Sequence, residues 1–267
     1  MPGAPDELVL DRFAVTHVER TLPGGRGRSV LAGDLVLSPD REPGTQRWLS
    51  PIQARLASEL DNEAGRRPLR LALPVPARDG EWVVQGWGAT RFEPRARPCH
   101  DLALMRAAGH LLHARLAVAV PARPEALSAA PRNRWDRAEA LAFGDPAALP
   151  EPAGWLRGHV AHAATVPGGL GPDQLVHRDL AGNVLLDGAG SALVIDLSPA
   201  WRPVLWAEAI CVLDAVLWHG ADRDVLADWR GGRERLAMLR AVAFRVLSDE
   251  PVAIEAYRAV VAELGAA

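Results

Sequence analysis

Apolar and polar residues alternate in short runs over the first third of the chain, then change to helical spacing. Thr16 to Leu22 reads as a strand, and Pro23-Gly24-Gly25-Arg26-Gly27-Arg28 as a tight glycine-rich turn. Ser29 to Ala32 and Leu35 to Leu37 read as strands joined at Gly33-Asp34, a hairpin signal. Thr45 is placed to cap a helix carrying Trp48, Leu49, Ile52, Leu56 and Leu60 on one face. Leu69 to Pro76 is strand-like, Arg78-Asp79-Gly80-Glu81 is a turn, and Trp82 to Phe92 resumes as a strand.

Glu93-Pro94-Arg95-Ala96-Arg97-Pro98 breaks this pattern and marks a boundary. Helical spacing follows over Leu102 to Val118, Asn133 to Phe143 and Trp155 to Thr165, with a Pro- and Ala-rich connection over Pro121 to Pro131. Further helices are predicted over Ala207 to Trp218, Asp222 to Trp229, Arg233 to Leu247 and Val252 to Leu264. The fold class is therefore α+β. Residues 1–94 form a small sheet with one helix, and residues 95–267 are mainly helical.

Composition narrows the picture. A chain of 267 residues, 49% hydrophobic, can bury a sizeable core. The net charge of −3 and the absence of a basic block argue against nucleic-acid binding. Cys99 and Cys211 are too few for a disulfide framework and read as reduced thiols. No apolar run reaches the ~18 residues of a membrane span. Met1 to Glu7 lacks the basic and apolar regions of a signal peptide. A cytoplasmic location away from membranes is expected. The chain contains no lysine, so all 30 cationic Lys/Arg side chains are arginine.

The chemistry concentrates in Leu175-Val176-His177-Arg178-Asp179-Leu180-Ala181-Gly182-Asn183 and the apolar run ending at Asp196. An Asp, an Asn and a second Asp beside short strands are the minimum for kinase-type phosphoryl transfer. Asp179 would accept a hydrogen bond from an acceptor hydroxyl and aim it. Asn183 and Asp196 offer hard oxygen ligands for Mg²⁺, with nucleotide phosphates completing the shell. His177 is read as structural.

These residues resemble the aminoglycoside phosphotransferase/choline kinase-like family. They are closer still to a bacterial subfamily that reads Leu-Pro-Gly-Gly near its start and Asp-x-Ser-Pro-x-Trp-Arg-Pro after the catalytic loop. Here those stretches are Leu22-Pro23-Gly24-Gly25 and Asp196-Leu197-Ser198-Pro199-Ala200-Trp201-Arg202-Pro203. The resemblance implies a two-lobed protein-kinase-like fold, ATP and Mg²⁺ as cofactors, and Asp179 as the catalytic carboxylate. It also implies Asn183 and Asp196 as metal ligands, and the segment at Phe92 and Glu93 as a hinge for adenine.

The chain departs from that pattern. Asn183 follows Asp179 by four positions where the kinase loop has five. Ser38 stands where a strand lysine is expected, and Gln46 where its glutamate partner would be. Arginine can bind phosphate through its fork. Arg26, Arg28 and Arg41 are the replacements considered, with Arg28 and Arg41 favoured. Gly24, Gly25 and Gly27 fit a phosphate cradle or a plain hairpin turn equally.

The short link from Asp196 to the next helix leaves little room for a peptide platform, so a small acceptor is expected, and Arg178 has no evident partner. The first reading is a Mg-ATP-dependent phosphotransferase acting on a small hydroxyl compound. The alternatives are a kinase-like pseudoenzyme that serves as a ligand-binding or scaffold protein, and a nucleotidyl transferase. His110/His113 and His159/His162 read as packing or surface residues. Trp201 and Trp206 are placed near the pocket, and Asp214 is read as a structural acceptor.

Overall fold

In the computed structural model of the chain, the described residues are 4–23, 27–65, 67–127, 131 and 133–265. They group into two units: Met1–Cys99 with Gly182–Asp196, and His100–Ala181 with Leu197–Ala267. Sequence reading assigned 182–196 to the part beginning at residue 95. Strand pairing explains why that segment groups with the first unit.

The first unit opens with helix α1 (Glu7–Arg12), which the sequence reading missed. It is under two turns long and buries only Val9, so it carries almost no periodic signal. Asp6 caps it by accepting the Val9 N–H at 2.9 Å. The strands β1 (Arg20–Thr21), β2 (Val30–Ala32) and β3 (Leu35–Ser38) follow. β2 and β3 pair antiparallel with Ala32 opposite Leu35, so Gly33 and Asp34 form the expected two-residue loop. Gly33 has φ +60°, a conformation that suits glycine there. Of the strand expected over Thr16 to Leu22, only β1 pairs.

Helix α2 (Pro43–Asp61) starts earlier than expected. Its cap is Glu42, not Thr45: the Glu42 carboxylate accepts the Gly44 and Thr45 N–H groups at 2.8 and 2.6 Å. Pro43, at the first helical position, has no N–H there to leave unbonded. The buried face carries Leu49, Leu56 and Leu60, and buried Gln53 donates to the Ala72 carbonyl at 2.7 Å.

The two long strands predicted next are broken up. Leu69 to Pro76 becomes β4 (Leu69–Leu71) and β5 (Pro74–Val75), which lie in different sheets. Prolines 74 and 76 lack the N–H that a continuous strand needs. From Trp82 to Phe92 only β6 (Gly88–Arg91) is regular. Before it, Gln85 (φ 48°) and Gly86 (φ 82°) turn the chain back so that Val84 bridges Trp87. One sheet has the order β1-β2-β3-β6-β5 and packs Leu37, Trp87 and Ala89 against Val9 and Phe13.

The second sheet has the order β4-β10-β9-β7, with β7 (Arg97–Pro98), β9 (Val184–Leu186) and β10 (Ala192–Val194). β10 runs parallel to β4 and antiparallel to β9. This pairing draws residues 182–196 into the first unit.

The second unit carries α3 (Leu102–Ala119), α4 (Arg134–Phe143), α5 (Arg157–Ala163), β8 (Asp173–His177), β11 (Pro199–Pro203), α6 (Val204–Trp218), α7 (Gly232–Ser248) and α8 (Ile254–Glu263). Asp101 and Asn133 cap α3 and α4, accepting the Leu104 and Asp136 N–H groups. The helix predicted at Asp222 to Trp229 is a 3₁₀ segment, Arg223–Trp229. β11 was not expected, because prolines at both ends disguise it. It pairs antiparallel with β8 from Pro199↔His177 to Pro203↔Asp173.

Trp206 is fully buried between Phe143 and Phe244, with ring centroids at 5.1 and 5.3 Å in edge-to-face arrangement. It belongs to the helical core. Both cysteines are buried, and neither is joined in a disulfide. Among the described residues no helix is long and apolar enough to cross a membrane. Replacing Trp206 by Ala is expected to cost about 3–5 kcal/mol of stability. Urea unfolding of the Trp206→Ala variant checks this.

Candidate functional site

In the second unit, β8 delivers His177, Arg178 and Asp179 to a loop whose backbone is hung on histidine ring nitrogens. His113, on α3, accepts the His177 N–H through Nε2 at 3.1 Å. His177 in turn accepts the Asp179 N–H through Nδ1 at 3.2 Å, with the Ser198 N–H at 3.4 Å. Arg178 N–H donates to the Ser198 carbonyl at 3.0 Å. His177 is fully buried and holds the loop, the structural part read for it in the sequence. The sequence alone reads His113 as a packing or surface residue. Its grip on the loop came from a residue 64 positions away, beyond any local pattern.

Arg178 does have partners, which corrects the sequence reading. Its guanidinium bonds Glu139 at 2.6 Å and Asp136 at 2.8 Å, both on α4. These carboxylates neutralise a cation that is 7% exposed. The same two acids line a cavity of about 170 Å³, together with Trp201, Arg202 and Leu127.

Asp179 has a partner that sequence reasoning did not find. Arg245, on α7, reaches the Asp179 Oδ1 with Nη2 at 2.5 Å. The Arg245 Nε lies 3.0 and 3.1 Å from the two oxygens of Asp214, on α6, and its Nη2 bonds Asp214 as well. Asp214 is thus a structural acceptor, as read. Burial pushes its carboxyl up, to about 6, against the pull of Arg245. Burial opposes the charge on Arg245, but Asp214 and Asp179 outweigh it and hold the guanidinium proton more firmly than usual.

In the first unit, the β9–β10 hairpin carries the other two polar residues. The register sets Val184 against Val194, and the Ile195 N–H donates to the Asn183 carbonyl at 2.9 Å. Asn183 precedes one strand and Asp196 follows the other, so both stand at the open end of the hairpin. Asp196 has φ 50°, a left-handed conformation that non-glycine residues adopt at some strain.

Arg41 ion-pairs with Asp196. Its backbone N–H is fixed to the Gly86 carbonyl at 2.9 Å. The other favoured arginine, Arg28, pairs with Asp40. Ser38, in the place of the expected lysine, shares a 2.9 Å hydroxyl hydrogen bond with Ser29 on the neighbouring chain segment. Gln46 accepts the Ser50 hydroxyl at 2.8 Å.

Glu93 bonds Arg70 at 2.6 Å, and Arg70 also holds Asp61 and Asp187. The Phe92 N–H donates to the Asp34 carbonyl at 2.9 Å. Gly27 is described, with φ +64°. Gly24, Gly25 and Arg26 lie outside the described residues.

The donor set at the hairpin suits Mg²⁺ better than a softer metal. One amide and one carboxylate leave most of an octahedron to phosphate and water, the usual arrangement for this ion. Among the described residues no group of three or more His, Cys, Asp or Glu forms an all-protein metal cage.

A sheet-bearing unit with one long helix and a helical unit with an Asp-bearing loop make up a kinase-like fold. No protein-family model matches the chain, and no curated protein matches it. Among solved structures it is similar to choline kinase LicA from Streptococcus pneumoniae. The TM-score is 0.57 at 15% identity, covering 97% of this chain and 98% of that one. A structure of LicA in complex with AMP gives 0.52 at 14% identity, covering 94% and 91%. At these identities the likeness is one of fold.

The histidine strap makes stability depend on pH. Burial, aided by the charges of His177 and His110, lowers the pKa of His113 to about 3. The folded value lies below the unfolded one, so the stabilisation is complete above about pH 6.5 and is lost as pH falls toward 3. Between pH 7 and 5 the unfolding free energy should fall by about 1–2 kcal/mol. That slope should flatten in a His113→Gln variant, measured by urea unfolding at each pH.

Proposed function

We propose that this chain is a Mg²⁺- and ATP-dependent phosphotransferase acting on a hydroxyl of a small molecule. The observation that carries the reading is the ion pair of Arg41 with Asp196. A chain that lost its phosphate-clamping lysine needs another cation beside the metal-binding carboxylate, and Arg41 supplies one. Its planar fork suits phosphate oxygens bidentately.

In this reading Asp179 accepts a hydrogen bond from the acceptor hydroxyl and aims its oxygen in line. Asn183 and Asp196 hold the metal. Bound Mg²⁺ offsets the charge of the phosphates during transfer. Gly27 and Arg28 meet the phosphates in this reading, and the segment at Phe92 and Glu93 receives the adenine. LicA, whose fold this chain shares, is a choline kinase and has been solved with AMP, which supports a nucleotide and a small acceptor here. The run from Asp196 through β11 directly into α6 also favours a small acceptor over a peptide.

A kinase-like protein that binds ligand without turnover is the second reading. Ser38 favours it, because its hydroxyl is tied to Ser29 and brings no cation to the strand.

Thermal unfolding with ATP or ADP, with and without Mg²⁺, tests the nucleotide site. A ligand at a hundred times its Kd stabilises by about 2.7 kcal/mol. A Mg²⁺-dependent rise in Tm is expected, and its absence at millimolar nucleotide would sink the phosphotransferase reading. Arg41→Ala should weaken Mg-ATP binding about tenfold or more, the loss of one charge-assisted contact. Asp179→Asn and Asp196→Asn should each abolish phosphoryl transfer while leaving unfolding cooperative. Retained turnover in either would overturn its assignment.

A further inference from the structure

Asp179 stands out among charged residues of the helical unit because its neighbours are so unequal in freedom. Its own side chain is 44% exposed, while those of Arg245 and Asp214 are 8% and 6% exposed. An aspartate this open on a loop has several rotamers within reach. The His177 ring fixes its backbone N–H but not its carboxylate.

Arg245 has no such freedom. Its Nε faces both oxygens of Asp214, and its Nη2 is shared between Asp214 and the Asp179 Oδ1. Because a guanidinium is planar, fixing Nε fixes the direction in which Nη2 points. The packed pair α6–α7 therefore decides where the Asp179 carboxylate is held.

We infer that Arg245 is the positioning residue for Asp179, clamped by Asp214 so that its second arm turns the carboxylate toward the acceptor hydroxyl. The inference rests on the phosphotransferase reading above and adds the device that aims its carboxylate. Misplacement of a reacting group by about 1 Å can lower rates about 10²-fold. The alignment is thus worth as much as many direct contacts. An ammonium at position 245 would keep a cation beside Asp214, yet it is a point charge and does not reproduce the two-armed geometry.

The test is steady-state ADP release from Mg-ATP, with water and a panel of small polyols, amino alcohols and sugars as acceptors. It compares wild type, Arg245→Lys, and an Arg245→Gln/Asp214→Asn pair that leaves no lone buried charge. Cooperative unfolding is checked for each. The expected result is a kcat lowered about 10–100-fold in both variants, with KM for Mg-ATP within about threefold of wild type. If either folded variant keeps the wild-type kcat, Arg245 merely ties α7 to α6 and the inference falls alone. Equal losses in kcat and in nucleotide affinity also overturn it, since a general loosening of the unit would produce them. A wild-type protein that releases no ADP with any acceptor removes the phosphotransferase reading, and this inference with it.

Discussion

With no lysine in the chain, a cation that meets a buried or half-buried carboxylate is a guanidinium unless a histidine serves. That constraint shapes the structure. A guanidinium offers five donors in a fixed plane, so one side chain can bind carboxylates from separate elements at set angles. Arg70 gathers Asp61, Glu93 and Asp187. Arg178 joins the loop after β8 to two acids of α4. Arg245 spans α6, α7 and Asp179. Burying such groups stabilises little by itself, because desolvation offsets most of the attraction. Removing one partner, however, leaves an uncompensated charge. These arginines therefore act more on geometry than on net stability.

The candidate polar residues are held by a different kind of framework in each unit. In the sheet-bearing unit, hydrogen-bond register does the work. Three antiparallel pairs between β9 and β10 bring Asn183 and Asp196 to one end of a hairpin. In the helical unit, packing does it. β8 and the loop after it are held by histidines from a helix and from the strand itself, and by arginines anchored in α4, α6 and α7. The apolar core around Trp206 keeps α6 and α7 together, and hence Asp214 and Arg245 within bonding distance.

Much of the fold was legible because it follows local rules. The hairpin at Gly33-Asp34 and the helices expected over Leu102 to Val118 and Asn133 to Phe143 are written in turn chemistry and periodicity within a few residues. The errors also have local causes. Glu42 was passed over as a cap because glutamate seldom fills that position, and Thr45 seemed the better type. β11 was hidden by its prolines, and the Trp82 to Phe92 run by a turn at Gln85-Gly86 that the apolar pattern outweighed.

The residue types of the loop after β8, their order, and the absence of lysine are properties of the sequence alone. Together they confine the chemistry to carboxylates, an amide and arginine. Which arginine meets which carboxylate was a tertiary decision. Arg41 and Asp196 are 155 positions apart, and Arg245 and Asp179 are 66 apart. No periodicity extends over such distances. Those pairs exist because strand register and helix packing bring backbone segments together, and a side chain's reach is only a few ångströms beyond them.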